Sequence, residues 1–173
     1  MRRFTSRDSF AGTNMSTQLK IGDPAPDFTA TAVGGIYGGG QKVKLADFAG
    51  STVVLYFYPK DGTPGCTAQA CELRDSWREL QSKAELFGVS VDSTESHHAF
   101  IEKHGLPFPL LSDPDKEMVK AYQVWVEKSI YGKKYMGTDR TTYFIGPDQK
   151  IKAILKKVRS PGHVERLLQA LAS

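Results

Sequence analysis

A mixed α/β fold, with a central β-sheet flanked by helices on both faces, is predicted by three observations. Apolar, β-rich runs alternate with helical patterns in the order βαβαβα, a ββα unit closes the chain, and the run Thr52 to Tyr58 is apolar enough to be buried on both faces. The chain has 173 residues, 40% of them hydrophobic and 24% charged, which suits one soluble domain and excludes disorder, collagen and a disulfide-dense scaffold. A domain of this size buries about 70% of its unfolded surface, so it needs neither metal nor cross-link to fold. No apolar run approaches the ~18 to 20 residues of a membrane-spanning helix, and no membrane role is expected.

Each element follows from local chemistry. Residues 1–18 read as a disordered or artefactual tail. They carry Arg2, Arg3 and Arg7 against Asp8, lack the apolar stretch of a secretory signal, only faintly suggest an organelle transit peptide, and leave Met15 as a plausible alternative start. The single domain is placed at 19–173. Pro24 and Pro26 keep Ile21 to Asp27 extended. Phe28 to Val33 and Val43 to Leu45 read as a strand pair around the glycine-rich loop Gly34 to Gly40. No Gly-Lys-Ser/Thr follows those glycines, so they are not a phosphate cradle.

Thr52 to Tyr58 is the central strand, stopped by Pro59, and a helix is expected from Cys66 to Ser82 with Ala70, Leu73, Trp77 and Leu80 on one stripe. Glu85 to Val91 is the next strand. Asp92, Ser93 and Thr94 are cap candidates for a helix from Glu95 to His104 that Gly105 ends. Pro109 to Leu111 is a short strand, Asp113 to Asp115 a turn, and Lys116 to Tyr122 a short helix. Thr141 to Ile145 and Lys150 to Lys156 form a hairpin. Ser160 is expected to cap a last helix, with Pro161 in its first turn and Val164, Leu167, Leu168 and Leu171 facing inward.

The chain has two cysteines, Cys66 and Cys71. Their spacing suits neither a secreted disulfide framework nor a zinc site. Cys66 opens a helix, beside unpaired N–H groups and the positive end of the helix dipole, both of which favour the thiolate. Five residues of helix separate the two Cα atoms by about 7.5 Å along the axis and turn them roughly 140° apart, so a disulfide requires the first turns to unwind. Cys66 falls on the apolar stripe, while Cys71 falls among Thr67, Arg74, Asp75 and Arg78, toward solvent.

The segment Phe57-Tyr58-Pro59-Lys60-Asp61-Gly62-Thr63-Pro64-Gly65-Cys66-Thr67, followed by Cys71 and Leu73-Arg74-Asp75, resembles the active-site stretch of the peroxiredoxin Q, or bacterioferritin comigratory protein, group of peroxiredoxins. The likeness extends to Gly22 to Phe28, to Leu110-Leu111-Ser112-Asp113 and to Arg140, and so spans the chain from about residue 19. It implies a thioredoxin-like fold and a thiol-dependent peroxidase acting on hydrogen peroxide and organic hydroperoxides. Cys66 would be the peroxidatic nucleophile and Cys71 the resolving thiol, joined in an intramolecular disulfide that thioredoxin or a glutaredoxin-type donor reduces. Thr63 and Arg140 would orient the peroxide and stabilise the thiolate, with Pro59, Pro64 and Gly65 shaping the pocket. The resemblance further implies no metal or other cofactor, a monomer, and a cytoplasmic setting. Gln69 stands where many relatives of this kind carry Glu.

Two other functions fit a gated dithiol: a peroxide sensor or holdase, which would stop after one equivalent of peroxide, and a general disulfide oxidoreductase, which the C-x4-C spacing disfavours. His97 and His98 are adjacent and point apart, and His104 and His163 are remote, so neither a metal site nor a Cys–His pair is expected of them. Asp113 and Asp115 read as turn formers. The tract Lys150, Lys152, Lys156, Lys157 and Arg159 reads as the solvated face of an edge strand, not a nucleic-acid site. Tyr56 and Tyr58 read as core.

Overall fold

Val53 to Phe57 form a strand because each side chain finds apolar partners on one face or the other. The computed structural model describes residues 18–173, so the expected tail lies outside the described residues apart from Gln18. In chain order the elements are β1 (Thr29–Val33), β2 (Gln41–Lys44), β3 (Val53–Phe57), α1 (Pro64–Asp75), α2 (Trp77–Leu80), β4 (Glu85–Ser90) and α3 (Thr94–His104). There follow β5 (Leu110–Ser112), α4 (Glu117–Ala121), β6 (Trp125–Ile130), β7 (Lys133–Thr138), β8 (Thr141–Ile145), β9 (Ile151–Lys156) and α5 (His163–Ala172). Seven strands make one sheet in the order β2, β1, β5, β4, β3, β8, β9. β4 runs parallel to β3 and β5, and the other neighbours are antiparallel.

Alternation along β3 divides the core in two. Val53, Leu55 and Phe57 pack with Phe87, Val89, Val119, Tyr122 and Tyr143 on one face. Val54, Tyr56 and Tyr58 pack on the other with Cys66, Ala70, Leu73, Phe108 and Leu167, so α1 and α5 cover that side. Each fully buried side chain of this size contributes about 1.5–3 kcal/mol. Gly88 of β4 pairs with Tyr56 in register, and a Cβ there would lie 2.7 Å from the Tyr56 ring and from Leu110. Only glycine lets that ring lie across the neighbouring strand.

Several expectations hold and several need correction. Ser93 caps α3 by accepting from the Ser96 N–H, and Gly105 ends it at φ 60. Asp113 organises its turn by accepting from the N–H groups of Met118 and Val119. β9, bearing the lysine tract, is an edge strand. The long helix expected from Cys66 begins two residues earlier and breaks at Ser76, a break that turns Trp77 against Phe108 at 5.7 Å between ring centroids. The glycine loop contains a 3-10 turn at Gly35–Tyr37. Ser160 does not cap α5: Pro161 follows a cis bond outside the helix, and Gly162 holds the cap position at φ 112. The Glu72 carboxylate, from α1, accepts instead from the N–H groups of Gly162 and Val164, both at 3.1 Å. A tertiary partner thus supplies what local sequence was expected to supply.

The β6–β7 hairpin lies outside the expected scheme. Its strands are mostly exposed and rich in charge, so they lack the alternation that marks a half-buried strand. Its signal is the turn: Tyr131 and Gly132 both have positive φ, as a two-residue type I′ hairpin turn requires. No helix among the described residues is long and apolar enough to cross a membrane.

Candidate active site

The strand register brings the chemistry together. Phe57, the last residue of β3, is paired with Val89 near the end of β4 and with Thr141 at the start of β8. The loop into α1 therefore emerges beside Arg140, at the carboxyl ends of the parallel strands, where open α/β sheets place their sites. Pro59 is half-buried at this edge.

The loop is anchored before it reaches the cysteine. Tyr58 donates to Asp61 Oδ1 at 2.6 Å, and Asp61 Oδ2 accepts from the Ser96 hydroxyl at 2.9 Å and lies 2.6 Å from His97 Nδ1. His97 Nε2 is 3.0 Å from the Leu111 carbonyl, which can only accept. Nε2 therefore donates to that carbonyl, and Nδ1 shares a proton with the Asp61 carboxyl in a buried pair, with side-chain exposures of 0% and 4%. The Asp61 N–H donates to Asp92 at 2.8 Å. Asp61, Asp92 and His97 are close enough to share an ion, but these contacts already occupy the histidine nitrogens and tie both carboxylates to protein donors.

Gly62, at φ 81, then turns the chain into the helix. Thr63 is the N-cap residue, yet its hydroxyl donates to the Lys60 carbonyl at 3.0 Å and caps nothing. Pro64 opens the helix and has no N–H. Thr67 N–H closes on the Thr63 carbonyl at 2.8 Å, which leaves the N–H groups of Gly65 and Cys66 without a partner among the described residues. Cys66 is in the first turn and 1% exposed, while Cys71 is half-buried, less open than its sequence neighbours suggest; both are free thiols.

Arg140 reaches this first turn because residue 65 has no side chain: a Cβ on Gly65 would lie 2.7 Å from Arg140 Nη2. Arg140 Nη1 donates to Gln69 Oε1 at 3.0 Å, the Gln69 amide nitrogen lies 3.0 Å from His163 Nδ1, and His163 Nε2 lies 3.1 Å from the Thr142 hydroxyl. Burial pushes His163 down to about 4, helped by the Arg166 and Arg140 cations and opposed by Glu72. Gly65, Arg140, Arg159 and Ser160 line a pocket of about 280 Å³ at this helix start. A larger hollow of about 530 Å³ around Ile21, Gly146 and Pro147 sits at the other end of β8 and is lined by neither cysteine. Tyr56 is buried with its hydroxyl unpartnered, and burial first, then Cys66 and Asp61, push its phenol well above the usual range.

Thr63, Pro64, Gly65, Cys66 and Arg140 thus meet at one helix start, with Cys71 on the same helix. Sequence reasoning missed His163, the Asp61–His97 pair and the position of Arg159, which it assigned to a solvated tract. The only local signal for His163 is its place beside Pro161-Gly162, a turn that aims the residue after it inward.

A sequence profile described as the AhpC/TSA family matches residues 21–154. Peroxiredoxin Bcp of Bacillus subtilis is 43% identical over 154 residues, covering 88% of this chain and 95% of that protein. Peroxiredoxin Bcp of Escherichia coli is 41% identical over 154 residues, covering 88% and 96%. Among solved structures, a mutant of PrxQ from Xylella fastidiosa superposes with a TM-score of 0.81 at 34% identity, covering 90% of this chain and 97% of that one. The bacterioferritin comigratory protein of Xanthomonas campestris, studied for its alkyl peroxide reduction activity, gives 0.76 at 36% identity, covering 84% and 90%.

Proposed function

The chain belongs to the AhpC/TSA family and is a thiol-dependent peroxidase of the peroxiredoxin type; from that premise we propose that Cys66 is its peroxidatic nucleophile and Cys71 its resolving thiol. The observation that carries this reading is the placement of Cys66 in the first turn of α1, with two unpartnered N–H groups and the Arg140 guanidinium at the same helix start. Those donors suit a thiolate and the negative charge that grows on a leaving oxygen.

In the proposed reaction the Cys66 thiolate attacks the outer oxygen of hydrogen peroxide or an organic hydroperoxide. An S–O bond forms, the O–O bond breaks, and the leaving oxygen takes a proton to become water or an alcohol. Thr63 enters as a hydrogen-bonding group once its hydroxyl leaves the Lys60 carbonyl, and Pro59, Pro64 and Gly65 shape the approach. The first turns of α1 then unwind, Cys71 sulfur displaces water from the Cys66 sulfenic acid, and an intramolecular disulfide results. A dithiol donor restores both thiols by exchange. Thioredoxin is our first choice of donor, with a glutaredoxin-type protein second. With both thiols on one helix no second subunit is needed, so we assign a monomer. The described fold supports a single domain over 19–173, and dependence on a thiol donor favours the reducing cytoplasm. No cofactor enters any step.

The test is peroxide consumption with thioredoxin, its reductase and NADPH. The wild type should turn over continuously; a halt after one equivalent would favour the sensor reading. Cys66→Ser should abolish consumption. Cys71→Ser should keep the first oxidation and lose recycling, and full recycling by it would remove Cys71 from its role.

A further inference from the structure

We infer that His163 is a positioning residue for the peroxidase reaction, acting through Gln69 to hold Arg140 against the start of α1. The inference rests on the proposed roles of Cys66 and Arg140 and adds to them a residue from the far end of the chain.

Counting protons along the hydrogen bonds fixes the direction of each. Arg140 has donors only, so the Gln69 atom 3.0 Å from its Nη1 must be the amide oxygen. The amide nitrogen then faces His163, and at 3.0 Å it can bond only if Nδ1 bears no proton. A neutral ring without a proton on Nδ1 carries one on Nε2, and that proton has an acceptor in the Thr142 hydroxyl at 3.1 Å. The four groups form one directed chain from Arg140 through Gln69 and His163 to Thr142. If Nδ1 were protonated the amide would have to flip, its NH2 would face the guanidinium, and Arg140 would lose its acceptor. His163 therefore selects the amide orientation that fixes Arg140.

The surroundings agree. His163 is fully buried, with the Tyr56 ring 5.7 Å away and Glu72, Arg166 and Arg140 as the charged groups around it. Burial favours the neutral ring the chain of bonds requires. Arg140 has no carboxylate partner among the described residues, so the neutral amide holds the cation without cancelling its charge. Gln69 also lies between Cys66 and Cys71. The unwinding that would join the two sulfurs draws Gln69 out from between Arg140 and His163, so the guanidinium is fixed while Cys66 is reduced and released once it is bridged.

The experiment is a mutant cycle read by single-turnover oxidation of Cys66 with hydrogen peroxide, in the full chain. His163→Leu should slow this step about tenfold, the order expected when a hydrogen bond aligning a charged group is lost. Combined with Arg140→Ala it should add nothing further, because it acts only through Arg140. His163→Asn keeps an acceptor near the Nδ1 position and should stay within about twofold of wild type, whereas His163→Gln puts its amide near the Nε2 position and should resemble Leu. These two neutral, polar replacements keep the test available should the leucine variant not fold. Equal losses with and without Arg140, or matching rates for Asn and Gln, would overturn the inference. An undiminished rate for Arg140→Ala would instead remove the role proposed for Arg140, and the inference with it.

Discussion

Acid should loosen this protein through one buried ring. His163 is held to about 4 in the folded chain by burial, against an ordinary imidazole value of about 6.5. Between those two values the unfolded chain binds a proton that the native state excludes, so stability rises with pH across this interval. The contribution is complete above pH 6.5 and declines by about 1.4 kcal/mol per unit below it, a loss of about 3 kcal/mol by pH 4. Against a typical total of about 5–15 kcal/mol this is a large share, equivalent to roughly 6–12 °C in Tm for a domain of this size. The assay is urea unfolding of the reduced protein at intervals from pH 7.5 to pH 4.5, beside His163→Asn, whose side chain does not titrate. Other titrating groups act on both proteins alike, so the difference isolates the ring. The stability gap between wild type and variant should narrow by about 2.5 kcal/mol over that range. Parallel curves would refute a neutral, buried His163.

Two further substitutions probe the helix start. Gly65→Ala places a methyl where Arg140 Nη2 now lies, 2.7 Å from the new Cβ. The guanidinium can swing aside, so the melting temperature should stay within a few degrees of wild type while peroxide oxidation of Cys66 slows about tenfold or more; an unchanged rate would show that Arg140 is not needed there. Asp61→Ala leaves the buried His97 Nδ1 and the Tyr58 and Ser96 hydroxyls without their shared partner. It should cost about 3–5 kcal/mol by denaturant unfolding, and a loss under about 1 kcal/mol would refute the anchoring role of Asp61.

Most of the site was legible because its local chemistry is written in adjacent letters. Pro64 and Gly65 in front of Cys66 announce a helix start, and the five-residue step to Cys71 announces a gated pair whatever surrounds it. Strands β3, β4, β8 and β9 were readable from apolar runs and turns. What escaped was built across long separations. Asp61 and His97 are 36 residues apart, Gln69 and His163 are 94 apart, and the Glu72 to Gly162 bond spans 90. Polar groups paired in this way look like ordinary surface residues in one dimension, because periodicity reports which face is buried and not which buried partner waits there. The β6–β7 hairpin escaped for the opposite reason: its strands bury little and so leave almost no pattern.

The bond from Glu72 to the start of α5 sets a stop. Burial works against the Glu72 carboxylate, but the Val164 N–H, the Ser160 hydroxyl and the Gly162 N–H together outweigh it and hold its pKa below the ordinary value. The residue directly after Cys71 is thus riveted to the last helix. Melting that runs from Pro64 through Cys71 leaves the rivet whole, whereas one residue more would free the head of α5. The unwinding proposed for the cycle would thus be confined to a stretch of about two turns, with the carboxy-terminal helix as the abutment against which that stretch opens.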